Sequence, residues 1–371
     1  MPVEDAAEAL LGIFHKHETA PAIDTTPFHL FPSFLPGIGY SILTGPSIVL
    51  ASNFSFYLGK SYNTNISSIL FSPEYALKGQ GLLVLNSNIW TPHNRFNIVG
   101  DNKYYFYTVN DYGLGPATKA DDYNAVRFRY IHLHNLITKK IGNDLFVGVG
   151  QFLSIHRQIQ FLTNNNLRQI NFKNESLEPS VSSALEASLL LDKRRNSNHP
   201  LAPGSYINFI YRLNSKLLGS STHYQSLYID IRKYINLSKK CWQEPVLCLW
   251  LLQQYSIGKV PYWDMPSTMW DPMDNSGRPF IQGRFRAPQL VCGEAELRFN
   301  FTKNHMLGGA IWSNFQAMAN KDFSTIKRVI PAAGASLRIL VNKDAAVYFV
   351  ISYGVARNKE QGLFLNLGEV F

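Results

Sequence analysis

From about residue 36 to its end the chain repeats one pattern. Segments of about ten residues alternate apolar with polar side chains, and clusters of Gly, Asn, Asp and Pro separate them. A period of two puts the two sets on opposite faces of an extended strand. The split is complete in 294–301, where Ala295, Leu297, Phe299 and Phe301 oppose Glu294, Glu296, Arg298 and Asn300. In 206–213 one face holds Ile207, Phe209, Tyr211 and Leu213, and in 227–232 Leu227, Ile229 and Ile231 oppose Tyr228, Asp230 and Arg232. The last segment carries Leu363, Leu365, Leu367 and Phe371 in phase. About sixteen such segments begin near residues 37, 47, 64, 80, 95, 124, 144, 181, 205, 223, 242, 288, 305, 326, 345 and 361, with no helix-length periodic stretch between them. So many strands leave two architectures, a large soluble sandwich or propeller and a transmembrane barrel.

Composition separates them. Charged residues make up 16% of the 371, against about 25% in ordinary soluble domains. A soluble fold needs charge on its outside. A membrane barrel instead turns an apolar face to lipid, with aromatic girdles at the interfaces. The 24 Phe, 19 Tyr and 6 Trp suit the second, and Trp90, Trp242, Trp250, Trp263, Trp270 and Trp312 are expected in interface belts. No repeat of fixed period supports a propeller. The longest apolar runs, such as 246–252, fall far short of the ~18 residues of a membrane helix. Net charge is +9, but only Lys193-Arg194-Arg195 is compact, with Asp192 beside it, so no nucleic-acid footprint forms. Cys241, Cys248 and Cys292 lack disulfide-framework or zinc spacing and read as small apolar fillers. The expected fold is all-β, a sixteen-stranded antiparallel transmembrane barrel over 35–371. Residues 1–34 precede it as an amphipathic helix over 4–16, with Ala6, Ala7, Leu10, Leu11 and Phe14 at helical spacing, and a linker.

Several segments then carry a more specific signal. Residues 35–45 (Leu35-Pro36-Gly37-Ile38-Gly39-Tyr40 to Gly45), 102–107 with 112–115, 230–235, 260–266, and above all 277–286 followed by 294–299 occur in an order and spacing that resemble the BamA/TamA-like, bacterial surface antigen barrel family. The terminal Phe371 fits the same likeness. The resemblance implies a bacterial outer-membrane protein, its signal peptide removed from this numbering, acting in outer-membrane protein insertion or translocation or as a subunit of such a machine. Its surroundings would be outer-membrane lipid and lipopolysaccharide, its partners other outer-membrane or periplasmic proteins, and the 1–34 segment would be periplasmic. It further implies a long loop, at about 257–289, that folds back into the lumen on an Arg-Gly-aromatic tip. Here Arg278, Pro279 and Phe280 form that tip, and Pro279 stands where the family has glycine. Arg278, with Arg284 and Arg286, is expected to latch onto Glu294, Glu296 and Asp230, beside Arg232, because a guanidinium fork matches a carboxylate. The alternative is that these charges merely line a polar interior. A weak seam is implied between the first strand, with Gly37, Gly39 and Gly45, and the last, with Leu363, Leu365, Leu367 and Phe371, since glycine weakens strand interiors. Near the end, where the family often has Arg-x-Asp-Tyr-Gly, this chain has Val350-Ile351-Ser352-Tyr353-Gly354. Only about 35 residues precede the barrel, too few for a polypeptide-transport-associated repeat, which is similar to the short barrel-only members of Bacteroidetes-type bacteria.

Chemistry is otherwise sparse. His132 and His134 share a strand face, but no third ligand lies nearby in sequence and the alternation changes phase between Tyr130 and Ile131, so no metal is expected. Ser154, Ser220 and Ser221 have no nucleophile elbow. Glu294 and Glu296 have a spacing that could serve acid–base work, yet their family counterparts are structural. No catalysis and no cofactor are therefore expected. The rival functions are a passive pore or structural barrel of a surface complex, and a soluble β-protein binding anionic ligands.

Overall fold

The computed structural model describes residues 28–41, 45–77, 79–162, 178–194, 203–238, 241–271, 275–319, 326–343, 345–357 and 359–371. Sixteen strands account for nearly all regular structure. The first eight are β1 (Leu30–Ser41), β2 (Gly45–Phe56), β3 (Ser67–Ala76), β4 (Gln80–Trp90), β5 (Phe96–Asp111), β6 (Asn124–Lys140), β7 (Leu145–Phe161) and β8 (Ser180–Asp192). The others are β9 (Gly204–Asn214), β10 (Tyr224–Asn236), β11 (Val246–Gly258), β12 (Gln289–Asn300), β13 (Leu307–Ala319), β14 (Ile326–Asn342), β15 (Val347–Ala356) and β16 (Gln361–Leu367). They form one sheet in sequence order, each antiparallel to the next. The helix expected over 4–16 lies outside the described residues.

Strand phases follow the alternation. In β12, Leu290, Cys292, Glu294, Glu296, Arg298 and Asn300 are buried, whereas Ala295 is exposed and Leu297 and Phe299 are partly so. In β10, Asp230 and Tyr234 point in, and Leu227, Ile229 and Ile231 occupy the outer positions. Ile48, Val149, Leu185, Leu363 and Leu365 are each more than half exposed. Exposure of so many large aliphatic side chains around one sheet is foreign to a water-facing surface.

The sheet curls until its ends approach. The Asn342 side-chain amide donates to the Pro32 carbonyl at 3.3 Å. Phe31, Ile66, Ala345 and Val347 are buried together, with Leu367 packed against them. Yet among the described residues β1 and β16 are the two ends of the sheet and share no ladder. Strand β1 starts at Leu30, earlier than the expected 37, and carries Pro32 and Pro36 in register with Phe54 and Leu50. A strand with one neighbour tolerates prolines because half of its backbone groups have no ladder to enter.

Two expectations are corrected here. Strand β16 stops at Leu367; Gly368 (φ 107°) turns the chain, and Glu369, Val370 and Phe371 run into the lumen. Phe371 is buried and stacks on Trp250 at 5.1 Å, so it leaves the face that Leu363 and Leu365 share. A left-handed turn of this kind suits glycine, which has no Cβ to clash. The tryptophans do not form belts either. Trp90, Trp250, Trp263 and Trp312 are buried and Trp270 is packed among lumenal aromatics; Trp242 alone of the six is largely exposed. Phe and Tyr, including Phe34, Tyr75, Tyr104, Tyr211 and Tyr353, supply the exposed aromatics instead.

Candidate functional site

The connection between β11 and β12, over its described residues 259–271 and 275–288, folds inward as a buried strap. Its two arms face each other at Ser267 and Arg286; the Thr268 amide donates to the Phe285 carbonyl (2.9 Å) and the Gly283 amide to the Thr268 carbonyl (2.9 Å). Each end of the strap buries apolar groups against a different wall. Tyr262 and Trp263 pack with Tyr105, Phe128 and Tyr130 of β5 and β6, with Trp270 alongside. Phe280 and Phe285 pack with Leu290, Met318, Ile330 and Ala332 of β12 to β14. The strap therefore bridges the lumen from wall to wall, with apolar burial at both contacts.

Arg278 is the polar centre of the strap. Its Nη2 donates to Glu294 Oε1 and to Glu296 Oε2, the latter at 2.7 Å, and its Nη1 donates to Ser352 Oγ at 3.1 Å. The guanidinium lies 4.4 Å over the Trp312 ring. Asn314 Nδ2 donates both to the Arg278 carbonyl (2.6 Å) and to Glu294 Oε2 (3.0 Å), tying backbone and carboxylate into one group. Arg278, Glu294 and Glu296 have side chains no more than 2% exposed. The charges continue along the wall. Arg298 Nε donates to Glu296 Oε1 at 2.6 Å and stands 3.7 Å from Glu369 Oε2, and Arg338 pairs with Glu369. Glu369, which interrupts the apolar phase of the last segment, is thus a lumenal carboxylate. Ser352 meets Arg278 with a neutral hydroxyl.

The sixteen strands thus form a barrel whose first and last strands share no ladder among the described residues, with an arginine-centred strap in its lumen. In fold, the chain resembles BamA and CdiB. BamA from Haemophilus ducreyi lacking POTRA domains 1-3 superposes with a TM-score of 0.55 at 14% identity, covering 91% of this chain and 68% of that one. CdiB from Acinetobacter baumannii superposes with a TM-score of 0.53 at 12% identity, covering 92% and 60%. At such identities the likeness is one of fold. No family model and no curated protein matches the sequence.

The other expected latch residues are placed differently. Arg284 leaves the carboxylates of β12 alone: its Nε donates to Glu360 (2.8 Å), and Nη1 and Nη2 donate to the hydroxyl and carbonyl of Thr118 (2.8 and 2.9 Å). It therefore ties the strap to two neighbouring connections. Arg286 Nη1 donates to the carbonyls of Trp263 (3.1 Å) and Tyr262 (3.3 Å), within the strap itself. Asp230 takes no loop arginine. It accepts from Arg232 Nε and Nη2 (2.9 and 2.6 Å) and from Trp250 Nε1 (2.9 Å), forming a separate group on β10 and β11. Pro279 and Phe280 follow Arg278, and Phe280 is fully buried. Gly37, Gly39 and Gly45 pair with Val49, Ser47 and Ser41, so all three serve the β1–β2 hairpin.

The near arm of the strap has its own anchor. Ser154 Oγ and Ser182 Oγ donate to the two Asp264 oxygens at 2.5 and 2.6 Å, and His156 Nδ1 lies 3.8 Å away. Burial pushes the Asp264 carboxyl up, and the two hydroxyls oppose that rise. Ser154 is thus a donor to a carboxylate, an anchoring contact. Tyr262 Oη likewise donates to Asp111 Oδ1 at 2.5 Å.

Proposed function

We propose that the protein is a bacterial outer-membrane barrel of the BamA/TamA-like kind. It acts in the insertion or translocation of outer-membrane proteins, alone or as a subunit of such a machine. One observation carries this reading: β1 and β16, the ends of the sheet, share no ladder among the described residues. Strand edges with unused N–H and C=O groups are templates for an incoming strand. The belt of exposed Leu, Ile, Val and Phe supports a lipid environment with lipopolysaccharide on one side, and the partners are outer-membrane and periplasmic proteins.

A passive pore is the rival, and the filled lumen disfavours it. The strap with its arginines and the 369–371 tail occupy the interior where a pore needs water. Steady conductance of the reconstituted wild-type barrel in planar bilayers would favour the pore.

Two measurements test the proposal. The protein should fractionate with the outer membrane and migrate heat-modifiably in gels; quantitative recovery in the soluble fraction without detergent ends the membrane reading. Cysteine pairs scanned along β1 and β16, in a background lacking Cys241, should on oxidation abolish assembly of a client barrel in proteoliposomes, and reduction should restore it. Undiminished assembly by a fully crosslinked barrel refutes the seam.

A further inference from the structure

We propose that Asp101, His132 and His134 bind one divalent transition-metal ion of the zinc class inside the barrel. Asp101 of β5 stands in register with His134 of β6, and His132 lies one step along the same face. Taking one donor atom from each, all three lie within 4.8 Å of one another. The third donor that the His-Leu-His spacing lacks comes from the neighbouring strand. The supposed phase change at Tyr130 is no change, because Phe128, Tyr130 and His134 are all buried on the lumen side.

The rings are oriented from behind. His132 Nδ1 meets Tyr130 Oη at 2.8 Å, which leaves Nε2 facing Asp101 Oδ2 at 3.2 Å. His134 Nε2 is 2.7 Å from Glu186 Oε2, and Arg212 Nε in turn donates to Glu186 Oε1 at 2.5 Å. A carboxylate behind an imidazole is the usual outer partner of a metal-binding histidine. Glu186 belongs to β8 and has to cross β7 to reach His134. It can do so because β7 carries Gly150 there: a Cβ at that position would sit 2.9 Å from Glu186 Oε2. Asp101 is 4% exposed, and its Oδ1 accepts no hydrogen bond among the described residues, its cationic neighbour being Lys103. A cavity of about 130 Å³ borders the three residues and gives a fourth ligand, a water, room to enter. Two imidazoles with one carboxylate form a donor set for zinc-like ions, and sulfur is not involved. Lys103 Nζ, 3.5 Å from Asp101 Oδ1, is the built-in competitor.

The test uses the whole barrel in detergent, stripped with chelator and titrated with Co²⁺, then with Zn²⁺ as the displacing ion. One Co²⁺ per barrel is expected, with a visible band of low coordination number that Zn²⁺ removes. Asp101→Asn and His134→Ala should each weaken binding at least tenfold, while Lys103→Met should tighten it by removing the competing cation. Metal should also raise the temperature at which the wild-type barrel loses heat-modifiable migration, and leave His134→Ala unmoved. Should His134→Ala fail to fold, His132→Gln serves in its place. A folded wild type that binds no stoichiometric Co²⁺, or binding unchanged in both histidine variants, overturns the site and leaves a hydrogen-bonded chain only.

Discussion

Arg278→Ala is expected to loosen the strap in the lumen while the strand ladders of the barrel persist. The substitution leaves Glu294 and Glu296 buried with one fewer cation between them. Removing one partner of a buried pair costs about 3–5 kcal/mol, because the remaining charge has no water to turn to. The loss falls unevenly. Glu296 keeps Arg298 at 2.6 Å, but Glu294 keeps Asn314 alone among its described hydrogen-bond partners. A double-mutant cycle should therefore show stronger coupling of Arg278 to Glu294 than to Glu296. Arg278→Lys should rescue only in part, since an ammonium cannot reach Ser352 and both carboxylates with one planar fork. Limited proteolysis within 259–288 reads the outcome. Protection equal to wild type in Arg278→Ala would reduce the arginine to one more charge in a polar lumen.

The second large effect concerns the outer face. Leu297→Lys or Ile229→Lys sets an ammonium among exposed aliphatics at mid-strand, at an expected cost of about 2–4 kcal/mol when lipid surrounds the barrel. Ser226→Lys, on the opposite face of β10 and beside the lumenal cavity, should cost far less. Reversible urea unfolding in liposomes measures both. Equal penalties would mean that lipid does not cover the outer face.

How much of this was legible beforehand follows from the range of each signal. Alternation is local, so the strand number and most strand starts can be read from it: β4, β6, β14 and β16 begin where expected, at 80, 124, 326 and 361. The exceptions have local causes. Pro32 and Pro36 disguise the start of β1, and β11 begins at Val246, leaving Trp242 in the preceding turn. The inward set of β12 was equally plain, Glu294 and Glu296 among it. What alternation does not contain is which lumenal side chains meet. Ser352 reaches Arg278 from β15, and Asp101 joins the histidines from β5, through barrel closure and strand register. Arg284 and Arg286 look equivalent to Arg278 in sequence, yet the path of the strap sends one to Glu360 and Thr118 and the other to its own backbone. The inward turn at Gly368 shows in sequence only as a charged residue out of phase, Glu369, whose meaning emerges once Arg338 is seen opposite.

That tail completes a row of charges. Arg278, Arg298 and Arg338 balance Glu294, Glu296 and Glu369, three cations to three anions, along one inner wall. Two of the anions come from β12, and the third follows β16 in the chain. A chain folded through β15 would hold one surplus positive charge beneath the strap, in surroundings where solvation is poor. The carboxylate that balances this row is carried behind the strand that also ends the sheet, so the charge of the inner wall depends on where that last strand leads its tail.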